Sequence, residues 1–98
     1  MTTWGVFCTF DLKAASSADY SAAYKDLADL GLQRVVMGAL REVVIPTTSV
    51  MGSFSGATAN SVRDHVREQV RQAFKARGFQ SEIFVFVGSN STWGSTTT

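Results

Sequence analysis

Few side chains in this sequence could do chemistry, and the most specific of them is the carboxylate of Asp11. It directly follows segment 4–10, whose alternation of apolar and other residues predicts a β-strand. A carboxylate in that position can hold a divalent cation, since Mg²⁺ is commonly bound through one or two carboxylates and several waters. Asp11 can instead end the strand and accept hydrogen bonds from backbone N–H groups of the loop around Lys13. We favour this second interpretation.

A row of arginines is the second chemical feature. Arg63, Arg67 and Arg71, here called the arginine ridge, recur every four residues opposite the apolar stripe of a predicted helix. Such a ridge can contact nucleic-acid phosphates. However, Asp64 and Glu68 each lie three residues before an arginine, which favours ion pairs along a solvated helix face. The net charge of +1 is also far from the strongly basic balance of an obligate nucleic-acid binder.

The single cysteine and the single histidine both have structural interpretations. Cys8 is in line with Val6 and Phe10 in the first strand, so it is predicted to be an inert core thiol. His65 is beside Val66 at the edge of a helical stripe, where a packed or capping role is favoured over catalysis. With one cysteine, one histidine and scattered carboxylates, no zinc site is expected.

Length and composition limit the class of protein. The 98 residues are enough for one domain with a modest core, and 45% apolar residues exclude a disordered chain. No apolar run approaches the roughly 20 residues that cross a bilayer. The first residues carry no basic region before an apolar one, so no secretion signal is expected. These features predict a cytoplasmic protein with no membrane partner.

The last predicted strand sets the architecture. Residues 83–87 are all apolar, which is typical of a strand covered on both faces. Alternation places Ile83, Val85 and Val87 on one face and Phe84 and Phe86 on the other.

Two helices and a hairpin fill the chain between the first and last strands. The first helix starts with a capping box at Ser16 and ends at Gly31, and the second runs from a cap at Thr58 or Asn60 to about Arg77. The β-branched stretch 32–54 predicts a hairpin. Residues 46–48 are the preferred turn because they begin with proline, and 37–39 would then be a bulge or second bend.

This order of elements predicts an α+β protein with a ferredoxin-like βαββαβ fold, in which two helices cover one face of a four-stranded antiparallel sheet. The domain is expected to span residues 1–88, and residues 89–98 form a short, partly disordered C-terminal extension. Trp93 is expected to pack on the edge of this or a neighbouring subunit. With both helices on one face, a homodimer is expected to cover the other through the aromatic residues Phe7, Phe84, Phe86 and Trp93.

The residues Phe10-Asp11-Leu12, Leu30-Gly31, Val62-Arg63-Asp64 and Ile83-Phe84-Val85 with a later Trp93 carry a family resemblance. On them, the chain resembles the SinR-like relatives of the CRISPR-associated small endoribonuclease family. The resemblance implies a homodimer joined through the open faces of its sheets, with the chain end reaching towards the partner. In nuclease members the matching aspartates meet at the two-fold axis and are proposed to hold one divalent metal. Asp11 occupies that place here.

One departure from the family affects the expected function. The typical enzymes have a basic first helix, whereas the segment 18–30 holds Asp19, Asp26 and Asp29 against Lys25. We therefore favour a dimeric scaffold or partner protein of a bacterial or phage accessory system, without a cofactor. The alternative is a nuclease acting on RNA or DNA with Mg²⁺ at Asp11. Small-ligand binding has only the fold in its favour.

Overall fold

The computed structural model describes residues 2–98, which form an α+β protein with antiparallel strands. In chain order the elements are β1 (Thr2–Leu12), α1 (Ser17–Asp29), β2 (Val35–Met37), β3 (Glu42–Val44), β4 (Ser49–Gly56), α2 (Ala59–Ala76) and β5 (Ser81–Gly88). Neither of these helices is long and apolar enough to cross a membrane.

The five strands form two sheets, so the prediction of one four-stranded sheet is wrong for residues 2–98. The main sheet has the order β4-β1-β5, and β2 and β3 form a separate two-stranded ribbon. The predicted second strand joins the main sheet only at Gln33, which exchanges two backbone hydrogen bonds with Met51 at 2.7 and 2.8 Å. Beyond that bridge the backbone groups of β2 pair with β3, so they no longer extend the edge of β4.

The turn of the ribbon lies at residues 38–41, where the Gly38 N–H donates to the Arg41 carbonyl at 2.8 Å. The preferred turn at 46–48 is therefore wrong, and the proposed bend at 37–39 overlaps the true turn. The ladder continues to Ile45, whose N–H donates to the Arg34 carbonyl. The ladder ends at Pro46, which has no N–H to donate. Residues 46–48 then connect the ribbon to β4.

Both helices start and end at the predicted signals. The Ser16 hydroxyl accepts from the Asp19 N–H while the Asp19 carboxylate accepts from the Ser16 N–H, which is the predicted capping box. Thr58, one of the two predicted residues, caps α2. Each helix is followed by a glycine in the left-handed region, Gly31 at φ 95° and Gly78 at φ 76°.

The core lies between one face of the main sheet and the two helices. Phe10 is near its centre, with ring centroids 5.2 Å from Phe74 of α2 and 5.7 Å from Tyr24 of α1. The buried apolar residues of the core cluster are Val6, Cys8, Phe10, Leu12, Ala23, Leu27, Leu32, Val50, Val62, Val66, Val70 and Phe74. Both helices therefore cover the same side of the sheet, and the opposite side, here called the open face, carries no helix in residues 2–98.

Candidate functional site: the open face of the main sheet

The strand register arranges the open face in rows. Residues that are directly paired across antiparallel strands point to the same side of the sheet. Since Val6, Cys8 and Phe10 point into the core, the odd-numbered residues of β1 point outward with their partners. The rows are Ser53-Gly5-Gly88, then Met51-Phe7-Phe86, then Ser49-Thr9-Phe84, and finally Asp11 beside Glu82. The open face thus changes from small residues through apolar ones to an acidic end.

The aromatic side chains of β5 dominate this face. Phe84 and Phe86 are each 61% exposed, while Ile83 and Val85 are partly buried and pack against the core. The sequence predicted a strand covered on both faces. Within the described subunit, only the helix-facing side of β5 is covered, so two phenylalanines remain largely in contact with solvent.

The glycine end of the open face forms one side of an apolar groove of about 360 Å³. The β2-β3 ribbon and the segment after β5 form its other sides, and the apolar lining includes Phe7, Met51, Phe86, Val36, Val43 and Trp93. The Trp93 ring lies beside the ribbon turn, with one ring carbon 3.5 Å from where a Cβ on Gly38 would stand. Trp93 therefore packs on its own subunit, and it remains 41% exposed.

The acidic end contains Asp11, in an environment different from the one predicted. β1 continues to Leu12, so Asp11 does not end the strand. Its Oδ1 lies 3.4 Å from the Tyr20 hydroxyl of α1, which also contacts the backbone of Leu12. Asp11 therefore has this side-chain contact in place of the expected hydrogen bonds from backbone N–H groups of the Lys13 loop. The packing of α1 brings Tyr20 to the end of the strand, and the Lys13 N–H donates instead to the Gln80 carbonyl.

Asp11 and Glu82 could contribute carboxylate ligands to a cation. They are direct partners in the β1-β5 register, and the Lys13 ammonium lies 3.4 Å from the Glu82 carboxylate, where its charge opposes a metal. In the part of the chain from Thr2 onward, no group of three or more His, Cys, Asp or Glu residues is placed to hold a metal. A Mg²⁺ ion at Asp11 would need further ligands from water or from another subunit.

Glu82 is the neighbour that the sequence analysis missed. It precedes the apolar run of β5, and its place beside Asp11 depends on the alignment of two strands at opposite ends of the chain. The matching glycines Gly5 and Gly88 at the other end of this ladder are a weak sequence signal for that alignment.

The arginine ridge carries ion pairs along the helix. Asp64 Oδ1 accepts from Arg63 Nε at 3.0 Å and from Arg67 Nη2 at 3.1 Å. Arg71 donates to both carboxylate oxygens of Glu68, at 2.9 and 2.7 Å. The pairs from Asp64 to Arg67 and from Glu68 to Arg71 are those predicted from the spacing of three.

Hydrogen bonds from Arg71 and then Gln72 lower the pKa of the Glu68 carboxyl to about 2. Glu68 is therefore fully charged at neutral pH and offsets the charge of Arg71. The ridge presents alternating charge to the solvent instead of an uncompensated row of cations.

The remaining candidate groups have structural roles or none that the structure identifies. Cys8 is fully buried, and burial raises the pKa of its thiol to about 11, in agreement with an inert core thiol. His65 is exposed on α2 and lies near Phe54 at the surface.

The chain was compared with models of protein families, with curated proteins and with solved structures, and none of them matches.

Proposed function

We propose that this protein is a non-enzymatic interaction module that self-associates through the aromatic part of its open face. The observation that carries the proposal is the exposure of Phe84 and Phe86, each 61%, beside Phe7 and Met51 on a sheet face without a helix. Contiguous exposed apolar surface of this kind marks interaction sites in folded proteins.

The energetic argument rests on the size of these side chains. Complete burial of a phenylalanine is worth about 1.5 to 3 kcal/mol, so covering the exposed 61% of each ring gives about 1 to 2 kcal/mol. In a symmetric dimer both copies contribute two such rings through the same surface. Aromatic residues of this kind form the centre of many interfaces, and the surrounding contacts exclude water.

We further propose that the main sheet is a reduced ferredoxin-like sheet. The chain order of the strands and helices and the single covered face support this. In this view the second strand of the ferredoxin-like chain order pairs with the main sheet only at the Gln33-Met51 bridge. The rest of that strand is β2, which forms the ribbon with β3. A cytoplasmic location and a role in a bacterial or phage accessory system are part of the same proposal, and the second rests on the SinR-like resemblance alone.

A metal-dependent nuclease is the second candidate, favoured by the exposed Asp11-Glu82 pair at the end of the sheet. It requires the Asp11 carboxylates of two subunits to meet around one Mg²⁺, whose oxygen ligands lie about 2.1 Å away. The opposing Lys13 and the internal pairing of the arginine ridge make this function the less favoured.

The test is the mass of the particle in solution, measured by light scattering after size-exclusion chromatography. We expect the wild-type protein to be a dimer at micromolar concentration and the Phe84→Ser/Phe86→Ser variant to be a monomer. Leu40→Ser is the matched control, because it removes a 98% exposed apolar side chain at the ribbon turn without altering the open face. A monomeric wild-type protein would contradict the proposal.

A further inference from the structure

Among the described residues, the outer edge of β5 pairs with no other strand. In the main sheet β5 is terminal and pairs with β1 alone among residues 2–98. The other edge of that sheet is different, because Gln33 pairs with Met51 on the outer side of β4. An exposed edge offers a row of backbone N–H and C=O groups to any strand that can align with it.

β5 also lacks the features that usually protect such an edge. Its eight residues pair one to one with β1, from Ser81 opposite Leu12 to Gly88 opposite Gly5, so the strand contains no bulge. It contains no proline and no lysine, and Glu82 is its only charged residue. Natural proteins commonly place charges, prolines or bulges on an edge to prevent pairing with another chain.

The sequence of β5 is self-complementary. In a continuous antiparallel sheet, paired residues must point to the same side. A two-fold axis between two copies of β5 therefore places one residue directly opposite the same residue of the partner subunit, and the register is named by that residue. With the axis at Val85, Phe84 faces Phe86 of the partner subunit and Ile83 faces Val87 of the partner subunit. All five apolar residues then face apolar residues, and Glu82 faces a glycine.

The neighbouring registers are less favourable. An axis at Phe84 places the Glu82 carboxylate opposite a phenylalanine ring, and an axis at Phe86 leaves Phe84 opposite a glycine. Cross-strand aromatic pairs each contribute about 0.2 to 1 kcal/mol relative to alanine, and only the Val85 register forms two of them.

From the bare edge and this pattern, we infer that β5 pairs antiparallel with β5 of a second copy, with the two-fold axis at Val85. The inference rests on the proposed self-association and gives it an edge-to-edge geometry, in which each phenylalanine is covered only on the side that faces the other copy and the open face of the joined sheet stays uncovered. The two main sheets become one six-stranded sheet, and Phe84 and Phe86 of both copies form one aromatic cluster on its open face.

This geometry separates the two Asp11 side chains. Asp11 pairs with Glu82, and Glu82 faces the glycine six residues further along β5 in the other copy. The two aspartates are therefore separated by three strand spacings of about 4.8 Å across the sheet and by six residues, each about 3.3 Å long, along the strands. The resulting separation of about 25 Å is far beyond the span of a single Mg²⁺ site. The edge-paired dimer and the shared-metal nuclease therefore exclude each other.

The test is oxidative cross-linking of single-cysteine variants at positions that share one side of β5. Directly opposite residues have Cβ atoms about 4.5 to 5.5 Å apart, close to the reach of a disulfide. We expect Val85→Cys to form a covalent dimer. Ile83→Cys and Val87→Cys are matched controls, because each of these positions lies about 14 Å from the same position of the partner subunit, so neither variant should cross-link alone. A mixture of those two should cross-link, because they face each other. All of these variants carry Cys8→Ala, because Cys8 lies directly opposite Val85 in the β1-β5 register and would otherwise form a disulfide with the new cysteine within one subunit.

The outcomes separate this inference from the proposed function. Absence of cross-links in both Val85→Cys and the mixture, while wild-type protein remains dimeric in light scattering, would overturn the edge pairing and leave the open-face proposal standing. Equal cross-linking of Ile83→Cys alone and Val85→Cys would also overturn it. A monomeric wild-type protein would overturn both.

Discussion

Arg77, the residue that caps the C-terminus of α2, donates Nε–H and Nη2–H to the two carboxylate oxygens of Asp26 in α1, at 2.6 and 2.9 Å. This bidentate pair connects the two helices at the surface of the core. The hydrogen bonds from Arg77 hold the pKa of the Asp26 carboxyl below its ordinary value.

The first prediction follows from that lowered pKa. A carboxyl whose pKa is lower in the folded state than in the unfolded state adds stability above the unfolded pKa, which is about 3.9 for aspartate. The added stability is lost as the pH falls through the folded pKa. We expect Asp26→Asn to lower the Tm at pH 7, and the difference from wild type to shrink below about pH 4. Circular dichroism melts from neutral to acidic pH measure both. Asp29→Asn, on the same helix, is the control, and a pH-independent Tm difference for Asp26→Asn would contradict the assignment.

The Asp26-Arg77 pair also shows where prediction from sequence ended. The sequence placed Asp26 correctly off the apolar stripe of the first helix, but its partner is 51 residues away and comes close only when the helices pack. Local patterns were sufficient for the caps at Ser16 and Thr58, because a capping box involves residues three positions apart.

The middle of the chain illustrates the same limit in the sheet. The β-branched residues of segment 32–54 correctly predicted extended structure. These residues do not distinguish a strand of the main sheet from a strand of a separate ribbon, because β-branched side chains favour extended structure in both arrangements. For the candidate site, alternation predicted which residues of β1 and β5 share a face. The neighbours of Asp11 required the three-dimensional register.

The second prediction concerns a close backbone approach at Gly52. A Cβ at this position would overlap the carbonyl oxygen of Gly31 and lie 3.1 Å from the Phe54 ring. Gly31 has φ 95° at the end of α1, so the overlapping group belongs to a constrained turn. We expect Gly52→Ala to reduce the free energy of unfolding by about 1 to 3 kcal/mol, the range for overpacking. Urea denaturation measures this change, with Gly94→Ala as the control because nothing lies within 4 Å of its added Cβ. Equal stability of the two variants would argue against the close approach.

The third prediction addresses the arginine ridge. Because Asp64 and Glu68 already pair with its arginines, we expect no detectable binding to labelled RNA or duplex DNA at low salt, measured by fluorescence anisotropy. Detectable binding would contradict this prediction. Binding whose salt dependence flattens by about one unit for each Arg→Gln change would assign the ridge to phosphate contact.

The fourth prediction separates a scaffold from a nuclease. Asp11→Asn removes the charge while keeping an oxygen near the Tyr20 hydroxyl, so we expect little change in Tm. We expect neither the wild-type protein nor the variant to cleave RNA or DNA in the presence of Mg²⁺, as followed on denaturing gels. Cleavage by the wild type that disappears in Asp11→Asn, with the oligomeric state unchanged, would refute the scaffold function.

The central position of β1 affects how the chain folds during synthesis. β1 is the first of these five strands to be synthesised, yet its neighbours in the sheet are β4 and β5, which are the last two. Gly5 cannot meet Gly88 until all the residues between them have left the ribosome, so one side of β1 stays without its native neighbour until β5 has emerged. Contacts between such distant residues slow folding, and they prolong the time during which strand edges are exposed to other chains.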